Sequence, residues 1–430
     1  MIDHIAVINE LLHSEVKGWV LAAIIAPLVL YIFLSGGSTS AKKAEEEQRY
    51  AVMLGMATGN PKYKVTQDEA AAVAMRAPGC ANLRNIITKM YGNTRISTRY
   101  MAIPDFTPLQ KEKGEENFFP DDKFALDVQT RQAKYKEVAV PLVTDVCLRA
   151  IKQAGCKLGD IGKLVVVSST GFLGPSLDCE LIKALNLPRG TDRTLIGFMG
   201  CAAAMNGYRV AMDYVKAHPN KLAMMVCVEI SSVHTTFKDN VNDAILHAIF
   251  ADGAAACVLG ARKPSEVPVG TLAIVDDHGH LIDGAEDGIT LSINSDGISC
   301  TLSKFLPMYI SKNMKGYVDA FLAKNDLKMD DCRGDDFFWA IHPGGRRIIE
   351  EAQNGLELRE SQAADSWAVL DTYGNMLSPS IMFVLDRVFQ RQQKHIADRN
   401  YDKCYKMGMG FSFSPGVGVE GILLKNIRPQ

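Results

Sequence analysis

The strongest constraint on this chain's fold is a set of apolar runs that lack the polar alternation of a half-exposed strand. They fall at 163–170 (Lys-Leu-Val-Val-Val-Ser-Ser-Thr), 221–230 (Lys-Leu-Ala-Met-Met-Val-Cys-Val-Glu-Ile), 254–260 and 336–341. A strand exposed on one face alternates apolar and polar residues; an unbroken run needs cover on both faces. Helix-like stretches, such as 202–217 and 346–353, separate these runs. The pattern predicts an α/β fold with helices on both faces of a sheet. It occurs twice, and the chain ends in two strands around a Ser-Pro-Gly turn (414–416). A duplicated core follows, with halves at 50–265 and 266–430 and the boundary near Arg262 to Glu266.

With 430 residues, 47% of them apolar, the chain has enough material for such a core. A net charge of −2 gives no reason to expect nucleic acid as a partner. The ten cysteines form no Cys-x-x-Cys pair and no cluster with histidine, so no metal site is expected. They read as reduced thiols facing the cytosol. Cys227 and Cys257 read as small core residues.

Residues 18–34 carry no charge, with Trp19 and Tyr31 near the two ends. As a helix they span roughly 25 Å, enough for a thin bilayer such as the endoplasmic reticulum. They predict a single-pass transmembrane anchor after an N-terminal tail at 1–17 and before a linker at 35–49. A signal or transit peptide and a buried soluble helix are the competing readings; the acidic Asp3, Glu10 and Glu15 ahead of the segment fit a leader poorly. Lys42, Lys43 and Arg49 follow the segment, against Lys17 before it. That bias places the catalytic body in the cytosol.

Three residues at small-residue turns carry chemistry. Cys201 lies in Gly-Phe-Met-Gly-Cys-Ala-Ala-Ala (197–204), His342 in His-Pro-Gly-Gly (342–345) and Asn375 in Tyr-Gly-Asn-Met (373–376). Each alone has an ordinary structural explanation: a packing turn, a structural histidine, a turn asparagine. Together they offer a nucleophile, a base and an amide donor. A thiol reacts as its thiolate, which a helix N-terminus and a neighbouring imidazolium both favour.

The spacing from Cys201 to His342 is 141 residues and from His342 to Asn375 is 33. With Ala-Ile-Phe-Ala-Asp-Gly-Ala-Ala-Ala (248–256) and Ser-Pro-Gly-Val-Gly-Val-Glu (414–420), this set resembles the type III polyketide synthases, the chalcone-synthase-like branch of the thiolase superfamily. The run around Cys201 looks most like the long-chain alkylpyrone and alkylresorcinol synthases. The resemblance covers residue 50 to the end and implies a duplicated thiolase-like αβαβα layered fold, here preceded by one transmembrane helix. It implies a homodimer that needs no cofactor beyond its CoA thioester substrates. Cys201 would take a medium- or long-chain acyl group from acyl-CoA. His342 and Asn375 would stabilise the enolate formed as malonyl-CoA loses CO₂. Iterative extension would release an alkylpyrone, alkylresorcinol or phloroglucinol-type product.

The resemblance also assigns Phe250 as a gate and Thr170, Gly174, Ser231, Cys300 and Leu377 as tunnel positions. Lys89, with Arg84, Arg95, Gly344 and Gly345, would bind CoA. Ser412-Phe413-Ser414-Pro415-Gly416 departs from the family's Gly-Phe-Gly-Pro-Gly loop. His234 lies near the tunnel positions without an assigned role. Two other readings compete: a membrane-bound 3-ketoacyl-CoA synthase, which would stop after one condensation, and an inactive acyl-CoA-binding scaffold.

Overall fold

The computed structural model describes residues 48–107, 110–121 and 123–429. The anchor, tail and most of the linker expected at 1–49 lie outside the described residues. Among those described, no helix is long and apolar enough to cross a membrane.

Thirteen strands are described: β1 (Tyr50–Gly59), β2 (Tyr63–Thr66), β3 (Thr98–Met101), β4 (Ile161–Val167), β5 (Asp192–Ile196), β6 (Leu222–Ile230), β7 (Asp252–Arg262), β8 (Leu272–Leu281), β9 (Ile289–Asn294), β10 (Gly297–Leu302), β11 (Phe337–Ile341), β12 (Met407–Ser414) and β13 (Gly418–Asn426). The helices are α1 (Gln67–Arg76), α2 (Arg84–Gly92), α3 (Val128–Ala154), α4 (Leu177–Ala184), α5 (Ala203–Ala217), α6 (Val241–Ile249), α7 (Leu306–Lys324), α8 (Arg346–Leu356), α9 (Ala364–Tyr373) and α10 (Ser378–Ala397).

Nine strands join in one sheet, in the order β11-β12-β13-β8-β1-β7-β6-β4-β5. The duplication is visible in the pairing. In the first half β4 runs parallel to β6, β6 antiparallel to β7, and β7 antiparallel to β1. In the second half β11 runs parallel to β12, β12 antiparallel to β13, and β13 antiparallel to β8. The halves meet where Ala51 and Val52 of β1 pair with Ile274 and Ala273 of β8. The expected boundary falls in the connection between β7 and β8.

Strand alternation distributes the side chains between layers. On β4, Leu164 and Val166 face a core with Val143, Val146 and Ala150 of α3, while Val165 and Val167 face a second core. That second core also takes Ala204, Tyr208 and Ala211 of α5, Ile381 and Val384 of α10, and Phe338 and Ala340 of β11. The alternate residues of β11, Phe337, Trp339 and Ile341, pack with Ile310, Val318 and Phe321 of α7. Helix layers outside and between the two half-sheets therefore explain why the apolar runs have no polar face. The central helices α5 and α10 follow Cys201 and Asn375 closely, so the same layer that completes the core presents both residues.

Candidate active site

Backbone geometry sets the nucleophile. Phe198 and Gly200 both have left-handed backbones, with φ of 58° and 59°. A Cβ on Gly200 would come 2.9 Å from Pro415 Cδ, so the turn admits only glycine. Cys201 follows in a 3-10 turn, Gly200–Ala202, that leads directly into α5. No side chain caps this helix start, which leaves its amide dipoles beside the thiol. Two serines hold the turn from opposite halves. The Gly200 N–H donates to Ser169 Oγ at 3.1 Å, and Ser412 Oγ donates to the Cys201 carbonyl at 2.8 Å.

His342 leaves the end of β11, its N–H donating to the Phe411 carbonyl at 3.0 Å. Asn375 pairs as an isolated bridge with Phe250. Its side chain is oriented at both ends. Oδ1 accepts from the Leu377 N–H at 2.8 Å, while Nδ2 donates to the Gly344 carbonyl at 3.1 Å and lies 4.0 Å from Cys201 Sγ. Leu377 has φ 51° and ψ −125°, a conformation rare for leucine and held here by that hydrogen bond. Cys201, His342 and Asn375 all line one cavity, otherwise walled by Ile289, Leu291, Leu302, Leu306, Ile348 and Phe413.

This apolar wall opposes charge. Burial pushes the Cys201 thiol up and the His342 imidazolium down to about 3. Both His342 ring nitrogens are buried with no partner among the described residues. An ion pair between the two would offset part of that opposition: unit charges about 4 Å apart attract by ~4 kcal/mol at an effective dielectric of 20. The α5 N-terminus and Asn375 Nδ2, 4.0 Å from Sγ, are placed to favour a thiolate.

Phe250, Leu291, Cys300 and Leu377 line both this cavity and a second one. Phe250 thus stands at the partition where a gate was expected. Thr170 and Ser231 line the second cavity, as does His234. The His234 Nε2 lies 2.8 Å from the Thr170 carbonyl, so that nitrogen carries the proton; burial holds the ring's pKa down, to about 4. Gly174 is exposed and lines neither cavity.

An open cleft leads from the surface to the Cys201 cavity, sharing Leu302, Leu306, Gly344 and Ile348 with it. Gly345 lines it too, with Lys304, Arg346 and Arg347. Lys89 is exposed beside Met90, which lines the cleft; Arg84 is exposed at the start of α2. Arg95 stands elsewhere. Its guanidinium lies 4.0 Å over the Trp367 ring, pairs with Glu360 at 3.0 Å and lines a different surface cavity.

Sequence reasoning missed two buried charges. Arg99, fully buried, donates from Nη1 to the carbonyls of His247 at 2.7 Å and Phe250 at 2.8 Å. A Cβ on Gly374, next to Asn375, would come 2.9 Å from Arg99 Cδ, so this one side chain reaches both the Phe250 carbonyl and the asparagine turn. Burial lowers its pKa to about 10. Glu229, at the end of β6, accepts from Ser169 N–H at 3.0 Å, Thr170 Oγ1 at 2.6 Å and Ser378 Oγ at 2.8 Å. Burial raises its carboxyl to about 7. A glutamate interrupting the apolar run 221–230 was the available signal. For Arg99 no local signal exists, because its partners lie in a segment remote in sequence.

A thiol, an imidazole and an amide that meet in an apolar cavity with a surface cleft can take up an acyl group and stabilise an enolate. The same arrangement has relatives of known kind. Residues 38–263 match the N-terminal domain of chalcone and stilbene synthases and residues 274–428 the C-terminal domain. The chain is 39% identical over 382 residues to the alpha-pyrone synthesis polyketide synthase-like Pks18 of Mycobacterium tuberculosis, covering 88% of this chain and 92% of that protein. It superposes on the crystal structure of PKS-I from the brown alga Ectocarpus siliculosus with TM-score 0.85 and 61% identity, over 88% of this chain and 99% of that one. The type III domain of Steely1, a type I/III hybrid from Dictyostelium, gives TM-score 0.76 and 25% identity, over the same 88% and 99%. Both halves and the whole catalytic body are thus accounted for by one family, and the chain belongs to the chalcone and stilbene synthases, as a type III polyketide synthase.

Proposed function

We propose that this type III polyketide synthase loads a medium- or long-chain acyl group from CoA onto Cys201 and extends it iteratively with malonyl-CoA. The observation that carries the assignment of roles is the convergence of Cys201, His342 and Asn375 on one apolar cavity, with Asn375 Nδ2 4.0 Å from Sγ. His342 takes the thiol proton and keeps it; the thiolate attacks the acyl-CoA carbonyl, and CoA leaves as a thiolate that takes its proton from water. Malonyl-CoA then occupies the cleft. Its carboxylate leaves as CO₂, and the electron pair becomes an enolate on the thioester oxygen. Asn375 Nδ2–H and protonated His342 donate to that oxygen. The enolate carbon attacks the acyl-cysteine and releases Cys201 for the next round. A cavity lined by leucine, isoleucine and phenylalanine suits such a step, because the donors are worth more where water is excluded.

The apolar lining supports a fatty starter, since each methylene buried contributes about 0.8 kcal/mol. Release as an alkylpyrone, alkylresorcinol or phloroglucinol-type ring completes the reading. The protein would act as a homodimer, anchored through residues 18–34 to a membrane such as the endoplasmic reticulum, with its catalytic body in the cytosol and CoA thioesters as its substrates without a further cofactor. Deleting residues 1–40 should release the protein from sedimenting membranes; unchanged sedimentation would remove the anchor.

Mass spectrometry of products from malonyl-CoA and a ladder of acyl-CoA starters tests the activity. Triketide and tetraketide rings are expected, with the preferred starter reporting chain length. Products that stop at a single 3-ketoacyl extension would move the activity to that of an elongase.

A further inference from the structure

Large apolar side chains stay exposed around the mouth of the cleft. Val241 and Ile245, one turn apart on α6, are 48% and 40% exposed; Phe305 and Met308, at the start of α7, are 49% and 41%. Val241 and Ile245 line the cleft itself, as do Lys304, Leu306 and Pro307, the immediate neighbours of Phe305 and Met308. These four make up half of the large apolar side chains exposed among the described residues, and a soluble surface does not usually gather them at one opening.

Cations share this rim. Lys304 is exposed, with its Nζ 5.0 Å over the Phe305 ring, and Lys312 is exposed one turn beyond Met308. Exposed Lys89 stands next to the cleft residue Met90. Arg346 and Arg347 line the cleft and pair with Glu350 at 2.8 Å and Glu351 at 3.1 Å, so the uncompensated charge is that of the lysines. The acidic residue of α6, Asp243, is turned inward, where it accepts from the Lys238 N–H at 2.8 Å.

We propose that this rim rests on an anionic lipid bilayer, so that the acyl chain of the starter passes from lipid into the cleft and on to Cys201. The inference rests on the long-chain acyl-CoA reading above. Apolar side chains flanked by lysines are the composition that binds acidic lipid surfaces. The cores of protein–protein interfaces are instead depleted of lysine, which disfavours a second protein chain as the occupant. The placement also has a chemical reason. An acyl chain drawn through water exposes every methylene; a mouth seated on the bilayer spares that exposure.

The test uses the full chain with vesicles of phosphatidylcholine and phosphatidylserine carrying a photoactivatable phosphatidylserine. Labelled peptides spanning 241–245 and 304–312 are expected, in addition to any from residues 1–47. Substituting Phe305→Ser, Met308→Ser and Lys312→Gln together, none of which lines the cleft, should remove the label at the mouth. The same variant should raise the KM for a vesicle-borne long-chain acyl-CoA about tenfold, while kcat and KM for a short, soluble acyl-CoA in vesicle-free buffer stay unchanged. Each lysine neutralised should weaken labelling about fivefold on anionic vesicles and leave it unaltered on neutral ones. Labelling confined to residues 1–47, labelling indifferent to lipid charge, or protection of the mouth by a second protein chain would overturn the proposal. Absence of polyketide from the short starter would instead remove the activity on which it rests, whatever the labelling pattern.

Discussion

Ser412 Oγ donates a 2.8 Å hydrogen bond to the backbone carbonyl of Cys201, tying the nucleophile's turn to a strand 211 residues away. Ser412 stands where the family resemblance leads one to expect glycine, and its hydroxyl makes a contact that glycine has no side chain to make. Ser412→Ala should therefore cost about 1 kcal/mol of stability and lower kcat without changing KM for the starter. Thermal unfolding and steady-state kinetics check both; an unaltered kcat would mean that Gly200 and Pro415 alone hold the turn.

Gly200 has no substitute. At φ 59° and with Pro415 Cδ 2.9 Å from the position of a Cβ, Gly200→Ala combines a left-handed alanine with a steric clash. The expected cost is about 1–3 kcal/mol, with loss of activity beyond what the fall in Tm explains. An active Gly200→Ala enzyme would show that the turn can relax without displacing Cys201.

On the proposed mechanism, His342→Gln leaves Cys201 without its proton acceptor while preserving shape. Burial then keeps the thiol protonated, because the opposing attraction is gone. Alkylation of Cys201 by iodoacetamide at neutral pH should slow on the order of 100-fold, as expected for the loss of ~3 kcal/mol of charge stabilisation. Intact-mass measurement over time reads this directly, and an unchanged rate would assign thiol activation to the helix dipole alone.

Glu229 titrates with a sign that can be stated in advance. Its folded pKa, about 7, lies above its ordinary 4.5, so the folded protein binds the proton more tightly than the unfolded chain does. Its stabilising contribution is complete below about pH 4.5 and is lost as the pH rises through 7. The difference in unfolding free energy between wild type and Glu229→Gln should thus shift by about 3 kcal/mol across that window, in favour of the variant at the alkaline end. Denaturant melts at a series of pH values measure it; a flat difference would place the carboxyl at its ordinary pKa.

Arg99 offers two carbonyl contacts and no carboxylate partner. Arg99→Met would leave the His247 and Phe250 carbonyls short of their donor and free Phe250, the proposed gate, to shift against Asn375. A loss of about 2–4 kcal/mol is expected, together with a changed ratio of triketide to tetraketide products; Arg99→Lys, which keeps one donor, should recover part of both. A product ratio identical to wild type in the folded variant would confine Arg99 to stability.

Much of this was legible from residues alone. The run Lys163–Thr170 announced a strand covered on both faces, and Leu164 and Val165 point to opposite helix layers as that requires. The small residues around Cys201, His342 and Asn375 marked turns, and these turns do meet at one cavity. Arg95 shows the limit. Expected to bind CoA, it points away from the cleft, because Trp367 and Glu360, brought alongside by α9 and the turn before it, engage it first.

The sequence by itself determined what depends on neighbours within a few residues: strand alternation, the apolar faces of the helices, the turns that only glycine fits, and the uncharged segment at 18–34. The tertiary structure alone decided what depends on the register of the two half-sheets. That register seats Ser412 on Cys201, and the packing of β3 and of the α9–α10 turn beside the sheet sets Arg99 beneath Phe250 and Asn375 Nδ2 within 4.0 Å of Sγ. It also leaves Phe305 and Met308 exposed beside the mouth while Leu306 between them is buried. Each of these is a side-chain direction, and a direction acquires a partner only when strands hundreds of residues apart have paired.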